Sequence, residues 1–237
     1  FDRGLAYVSV FDGLAWKNQA RLSFQPIDST KMGVSVALDG NTAVVGGESN
    51  IPNRARVTLY SRLKNTWLLD PTSFEGNVND DNLGYALAMS SKYVIVGAPL
   101  SDVAGLNSGD AYIAQRFGKT FNNVAEFQVG QAAGDQLGRA VDISDDFAIV
   151  GAPYNDTGAK TDRGAAFFIA HEPGSNDSWA GGTQLVASDG AAGDNFGQSV
   201  AVSGSIAVIG APGDDTGAIT NHGSVYVTDL FADPSNL

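Results

Sequence analysis

The chain has 237 residues, of which 43% are hydrophobic and 29 are glycine, enough apolar matter for the core of one large all-β domain or two small ones. Its 26 acidic and 14 basic residues give a formal charge of -12, and the basic residues are scattered singly, which argues against a phosphate-backbone binder and so against nucleic acid as a partner. Cysteine is absent and no apolar run approaches the ~20 residues of a membrane span, which excludes a disulfide framework, a thiolate nucleophile, a cysteine-ligated metal and a membrane-spanning helix.

The sequence starts at Phe1 rather than Met, without a charged-then-apolar leader, and reads as a processed or excised piece whose targeting segment is not in view. After Gly4, "AYVSV" predicts a strand, and Trp16 to Leu22 predicts a weaker second one. Met32-Gly33 then opens "GVSVAL", where small Ser35 alternates with larger Val36 at the period of two expected for a strand. A short polar turn, "LDGN", leads into "TAVVG", which ends at Gly46. Next come "VTLY" near Arg56 and a looser strand from Trp67 to Phe74.

The same order then returns. Leu83-Gly84 opens "GYALAM", followed by the turn "MSSK", by "YVIVG" and by Gly97-Ala98-Pro99. A polar loop, "LSDVAGLNSGD", leads to "AYI" after Gly109 and to a strand from Phe121 to Phe127. Leu137-Gly138 opens the third copy, with "GRAVDI", "ISDD", "FAIVG", Gly151-Ala152-Pro153, the loop "YNDTGAKTDRG", "AFFI" after Gly164, and Trp179 to Leu185. Phe196-Gly197 opens the fourth, with "GQSVAV", "VSGS", "IAVIG", Gly210-Ala211-Pro212, the loop "GDDTGAITNHG" and "VYV" after Gly223.

The opening glycines are spaced 51, 54 and 59 residues apart, whereas the offset from first glycine to second is 13 residues in all four copies. A rigid unit therefore alternates with variable loops. The second strand of each unit is a nearly continuous β-branched run, as expected of a strand buried on both faces. Glycine at the start of the first strand and the end of the second is expected where backbones crowd near an axis or φ is positive, and proline stops the ladder.

Four short antiparallel strands per roughly 55-residue repeat is the signature of a β-propeller blade, and helical periodicity is absent. The fold class is all-β, a propeller of four-stranded antiparallel blades spanning residues 1–237, with repeat units starting near 32, 83, 137 and 196. The count is 17 strands, beginning on third and fourth strands and ending on first, second and third. A ring of about four or five blades can close by pairing residues 4–24 with 197–228; alternatively the chain is part of a larger propeller or joins a neighbouring chain, since an open end leaves an unpaired edge.

These residues resemble the FG-GAP repeats of the integrin α-subunit head and of secreted propellers, "FGQSVAVSGSIAVIGAP" most closely and "MGVSVALDGNTAVVGGE" least. The resemblance implies an extracellular or cell-surface protein with a role in adhesion, ligand binding or carbohydrate recognition. Several members carry a calcium loop between the first two strands. The turns here are too short and hold only Asp39 in one, Asp145 and Asp146 in another and no carboxylate in the other two, so no metal site and no cofactor are carried over.

The loops after Gly-Ala-Pro hold the candidate ligand contacts: Asp102, Asn155, Asp156, Thr157, Asp214, Asp215 and Thr216, whose oxygens and amides suit sugar hydroxyls or a cation. Asp-Thr-Gly is equally turn chemistry, the side chain bonding backbone nearby. Asp81, Asp135 and Asp194 recur two residues before the Leu or Phe of each pair and read as turn caps. Asn155 and Asn176 begin Asn-x-Ser/Thr sequons, candidates for glycosylation. His171 and His222 read as surface residues in different loops, and Trp16, Trp67 and Trp179 as core or rim packing. No catalytic constellation stands out. The expected function is a non-enzymatic extracellular module binding carbohydrate or protein through rim loops; alternatives are a self-associating structural subunit of an assembly or filament and, less favoured, a polysaccharide-cleaving enzyme.

Overall fold

Every strand among the described residues belongs to an up-and-down antiparallel sheet, as the tight polar turns between paired strands favour. The computed structural model describes residues 4–23, 30–49, 55–75, 82–127, 129–172, 174, 178–215 and 220–231, with seventeen strands and no helix among them. β1 (Ala6–Phe11) and β2 (Trp16–Leu22) form a pair. Three four-stranded sheets follow: β3 (Thr30–Asp39), β4 (Thr42–Ser49), β5 (Arg56–Leu63) and β6 (Thr66–Glu75); β7 (Ala86–Met89), β8 (Tyr93–Ala98), β9 (Asp110–Phe117) and β10 (Thr120–Phe127); β11 (Ala140–Ile143), β12 (Phe147–Ala152), β13 (Ala165–Glu172) and β14 (Ser178–Leu185). The last sheet holds β15 (Ser199–Ser203), β16 (Ile206–Ala211) and β17 (Ser224–Asp229).

First strands of successive sheets lie side by side, β3 by β7, β7 by β11 and β11 by β15, and fourth strands do the same further out. The sheets are thus the blades of a β-propeller, stacked face on face around the line of first strands. β8 and β12 are buried along their whole length, each sealed between two neighbouring blades, as their unbroken β-branched runs predict. β16 alternates buried and more open residues instead, because only the β11–β14 blade covers it.

The glycine markers join the blades. Gly84, Gly138 and Gly197 have φ of +87°, +88° and +91°, and each amide donates 3.0 Å to the carbonyl of the second glycine of its own blade. Each also presses on the second glycine of the preceding blade: a Cβ on Gly46, Gly97 or Gly151 would lie 2.2, 2.0 or 2.0 Å from the carbonyl oxygen of Gly84, Gly138 or Gly197. Only a residue without a side chain permits that approach. Leu83, Leu137 and Phe196, the large residues of each pair, are fully buried in the seam. β3 differs in starting earlier than its glycine, at Thr30, with a bulge between Met32 and Ser35.

The aspartates before each pair cap turns, as their recurrence predicts. Asp135 Oδ2 accepts the Ala132 amide at 2.7 Å and Asp194 Oδ2 the Ala191 amide at 2.6 Å; Asp81 lies outside the described residues. Replacing Asp194 with alanine removes the buried carboxylate that caps the part-buried Ala191 amide, and a loss of about 1 kcal/mol is expected. A melting temperature unchanged in Asp194→Ala would remove the capping role.

Candidate functional site

The loops that follow Gly-Ala-Pro are held open by their own aspartates. Asn107, Asp162 and Asn221 sit at φ of +53°, +54° and +51°, a region that Asn and Asp tolerate better than other side chains. Their amides donate to Asp102 Oδ1 at 2.7 Å, Asp156 Oδ1 at 2.9 Å and Asp215 Oδ1 at 2.7 Å. The three equivalent aspartates therefore each staple a loop, the turn role that the sequence left open beside ligand binding.

In the third blade this loop walls a cleft of about 300 Å³ lined by Gly130, Ala132, Ala133, Asp135, Asn155, Asp156, Thr157, Gly158 and Gln184. Asn155 is its hub. Its Nδ2 donates to Asp135 Oδ2 at 2.6 Å, and its Oδ1 accepts Thr157 Oγ1 at 2.5 Å and Gln184 Nε2 at 3.2 Å. Gln184 comes from β14 and Asp135 from the loop before β11, so three chain segments meet on one amide. Burial pushes the Asp135 carboxyl up from its ordinary range, against the pull of the Ala132 amide and Asn155, and the nearby Asp156 charge raises it further. The loop's two cations point elsewhere: Lys160 Nζ donates to the Gly190 carbonyl at 2.5 Å, and Arg163 Nη2 donates to the Ala187 carbonyl.

Of the residues singled out in the sequence, the fold brings Asn155, Asp156 and Thr157 together. Asp102 stands in the β8–β9 loop, Asp214 is buried in the last blade with its carbonyl accepting the Gly223 amide, and Asp215 is exposed beside it. Thr216 and Asn176 lie outside the described residues. Asn155, the first residue of a sequon, is 6% exposed in the folded loop with its Nδ2 donating to Asp135. Gln184 was missed, because a lone glutamine on a fourth strand carries no sequence signal.

His171 is corrected. It sits on β13 rather than in a loop, half-buried, with Nε2 2.9 Å from Tyr93 Oη and its ring 5.2 Å from that of Trp179, a packed aromatic cluster between blades. His222 is exposed, Trp67 donates to Gln19 at 3.0 Å, and Trp16 stands out in solvent. Asp39 pairs with Arg116 at 3.1 Å and Asp145 accepts Ser91 Oγ at 2.9 Å, so these turn carboxylates serve contacts between blades. Among the described residues no three His, Asp or Glu side chains form a group that could hold a metal ion.

A family model of the FG-GAP repeat matches residues 76–114, 130–169 and 179–228, together more than half of the chain. The chain belongs to the FG-GAP repeat family. The three matches start ahead of β7, ahead of β11 and within β14, and so follow the blade order from the second blade to the last. The β3–β6 blade carries the same glycine contact, Gly46 on Gly84, as the FG-GAP blades that follow it. No helix among the described residues is long and apolar enough to cross a membrane.

Proposed function

We propose that this FG-GAP propeller is an extracellular, non-enzymatic binding or adhesion module, and that the cleft on its third blade takes a carbohydrate or a hydroxyl-rich face of a protein. The observation that supports this is the lining itself: an amide, a hydroxyl and two carboxylates around Asn155, with neither Lys nor Arg among the lining residues. Such a wall matches the paired donors and acceptors of neutral sugar hydroxyls and repels anions. Asp156, Thr157 and Gln184 are the contacts, and Asn155 and Asp135 hold them in place. The loop from Asp214 offers similar chemistry on the next blade.

Catalysis is not part of the reading. The cleft's two carboxylates serve the loops that frame it, Asp135 accepting the Ala132 amide and Asp156 the Asp162 amide, which favours a positioning role for both. The reading needs no cofactor. Screening on a glycan array, followed by calorimetry, tests it. Gln184→Ala and Asp156→Ala are each expected to weaken binding about tenfold or more, the worth of one hydrogen bond at roughly 1.4 kcal/mol. Silence on the array and in a pull-down from extracellular matrix, or binding by both variants equal to that of the parent, would reject the cleft. Turnover of any polysaccharide, lost in Asp135→Asn, would favour the enzyme instead.

A further inference from the structure

The residue that follows the seam glycine differs in each copy of the repeat: Val34, Tyr85, Arg139 and Gln198 come after Gly33, Gly84, Gly138 and Gly197. The glycine contact fixes the backbone there but not the side chain beside it, so this is a place where the surface can vary on a constant fold. In the third blade it carries a cation. The guanidinium carbon of Arg139 lies 5.5 Å from the ring centroid of Tyr85, its counterpart on the second blade, and 5.5 Å from that of Tyr154, which follows Gly151-Ala152-Pro153. All three side chains are half-buried.

This guanidinium is held but not neutralised. Nη1 donates to Gln136 Oε1 at 2.9 Å, a neutral acceptor, and the buried Nε has no hydrogen-bond partner. Among the described residues no carboxylate pairs with Arg139, although the chain has 26 acidic residues for 14 basic ones. The two flanking rings favour its charge and use none of its donor hydrogens. Nη2 and the second hydrogen of Nη1 are left to donate side by side, the fork that matches the two oxygens of a carboxylate. A dianion such as sulfate or phosphate meets about twice the repulsion from a chain of formal charge -12, so a group of single charge is favoured.

The trio adjoins the third-blade cleft without lining it. Gln136 follows Asp135 and Tyr154 precedes Asn155, both of them cleft residues. We propose that Arg139, flanked by Tyr85 and Tyr154, is the subsite for the carboxylate of an acidic sugar whose hydroxyls occupy the cleft. The proposal rests on the carbohydrate reading of that cleft for the sugar ring and on Arg139 for the carboxylate. Its ligand class is a uronic acid within an otherwise neutral glycan, because Asp135 and Asp156 oppose further negative charge in the cleft.

Magnetic resonance titration of the isotope-labelled full chain with glucuronate, glucose and acetate is the test. Glucuronate and glucose share a ring and differ in a carboxylate for a hydroxymethyl group. Glucuronate is expected to shift the Arg139 Nε–H signal together with the amides of Asp135, Gln136, Tyr154 and Asn155, and to bind about tenfold more tightly than glucose, the advantage of a charge-assisted pair. Glucose is expected to shift the cleft amides alone, and acetate the Arg139 signal alone. Arg139→Gln brings glucuronate down to the affinity of glucose and leaves glucose unchanged. Arg139→Lys, which keeps the charge without the fork, recovers only part of the preference and carries the test if the glutamine variant fails to fold. Gln184→Ala weakens both sugars and preserves their ratio. Glucose binding with glucuronate no tighter, or a glucuronate preference that Arg139→Gln leaves intact, overturns the Arg139 subsite and leaves the cleft standing. Acetate as tight as glucuronate, with no response to glucose, rejects the cleft and the acidic sugar together and leaves Arg139 a site for any carboxylate, a protein's included. No shift with any of the three overturns both.

Discussion

Gly151→Ala is expected to lower the melting temperature by roughly 10 °C or more. The added Cβ would stand 2.0 Å from the Gly197 carbonyl oxygen, and its other near neighbours are Gly197 backbone atoms too, with no flexible end to move aside. The blades must part, and the seam they share is lined by Ile149, Ala166, Phe196 and Ile209, all fully buried. A loss of about 4 kcal/mol or more follows from such overpacking. For a domain of this size each kcal/mol moves the transition by roughly 2–4 °C. Gly174→Ala is the control. Nothing lies within 4 Å of its Cβ position, so its stability should stay within about 0.5 kcal/mol of the parent. Equal melting of both variants by calorimetry would show that the close approach is not what requires glycine.

The second large effect comes from a carboxyl sealed between blades. Asp110 opens β9 with no solvent exposure; its Oδ1 accepts the Ala111 amide at 2.7 Å and its Oδ2 has no hydrogen-bond partner. Burial above all, with the Glu126 charge nearby, pushes its pKa from 3.8 to about 7. The folded protein therefore keeps a proton that the unfolded chain releases above pH 3.8. The contribution of Asp110 to stability is greatest below that value and falls as pH rises toward 7, by up to about 1.4 kcal/mol per pH unit and about 4 kcal/mol in all. Asp110→Asn removes the ionisation, and at pH 8 it is expected to be the more stable protein by about 2–4 kcal/mol. Urea titrations of both proteins at pH 4.5 and 8 check this. A difference independent of pH would show that Asp110 ionises freely in the fold.

The blades were legible in the sequence because their defining contact is made of backbone. Gly33, Gly84, Gly138 and Gly197 stand at one offset from their second glycines, since a side chain on any of these four, or on Gly46, Gly97 or Gly151, collides with backbone of the neighbouring blade or strand pair. The unbroken apolar runs at Tyr93–Val96 and Phe147–Val150 announced strands covered on both faces for the same reason. The cleft was harder to see. Asn155, Asp156 and Thr157 drew notice as polar loop residues, but Asp135 and Gln184 reach the same amide from 20 and 29 residues away, and nothing in local spacing encodes that meeting. His171 was misplaced because a histidine beside Glu and Pro reads as loop, whereas the hydroxyl that fixes it belongs to Tyr93 on another blade.

The aspartate staples separate the shape of each loop from its composition. Because Asp102 and Asp156 fix where the chain turns back, the course of each loop rests on its clasp more than on the exposed side chains between, such as Ala159 and Thr161. The β12–β13 loop is then a cassette: exchanging Ala159 and Thr161 while keeping Asp156, Thr157, Lys160 and Asp162 would vary a recognition surface on one scaffold, the arrangement that library design seeks.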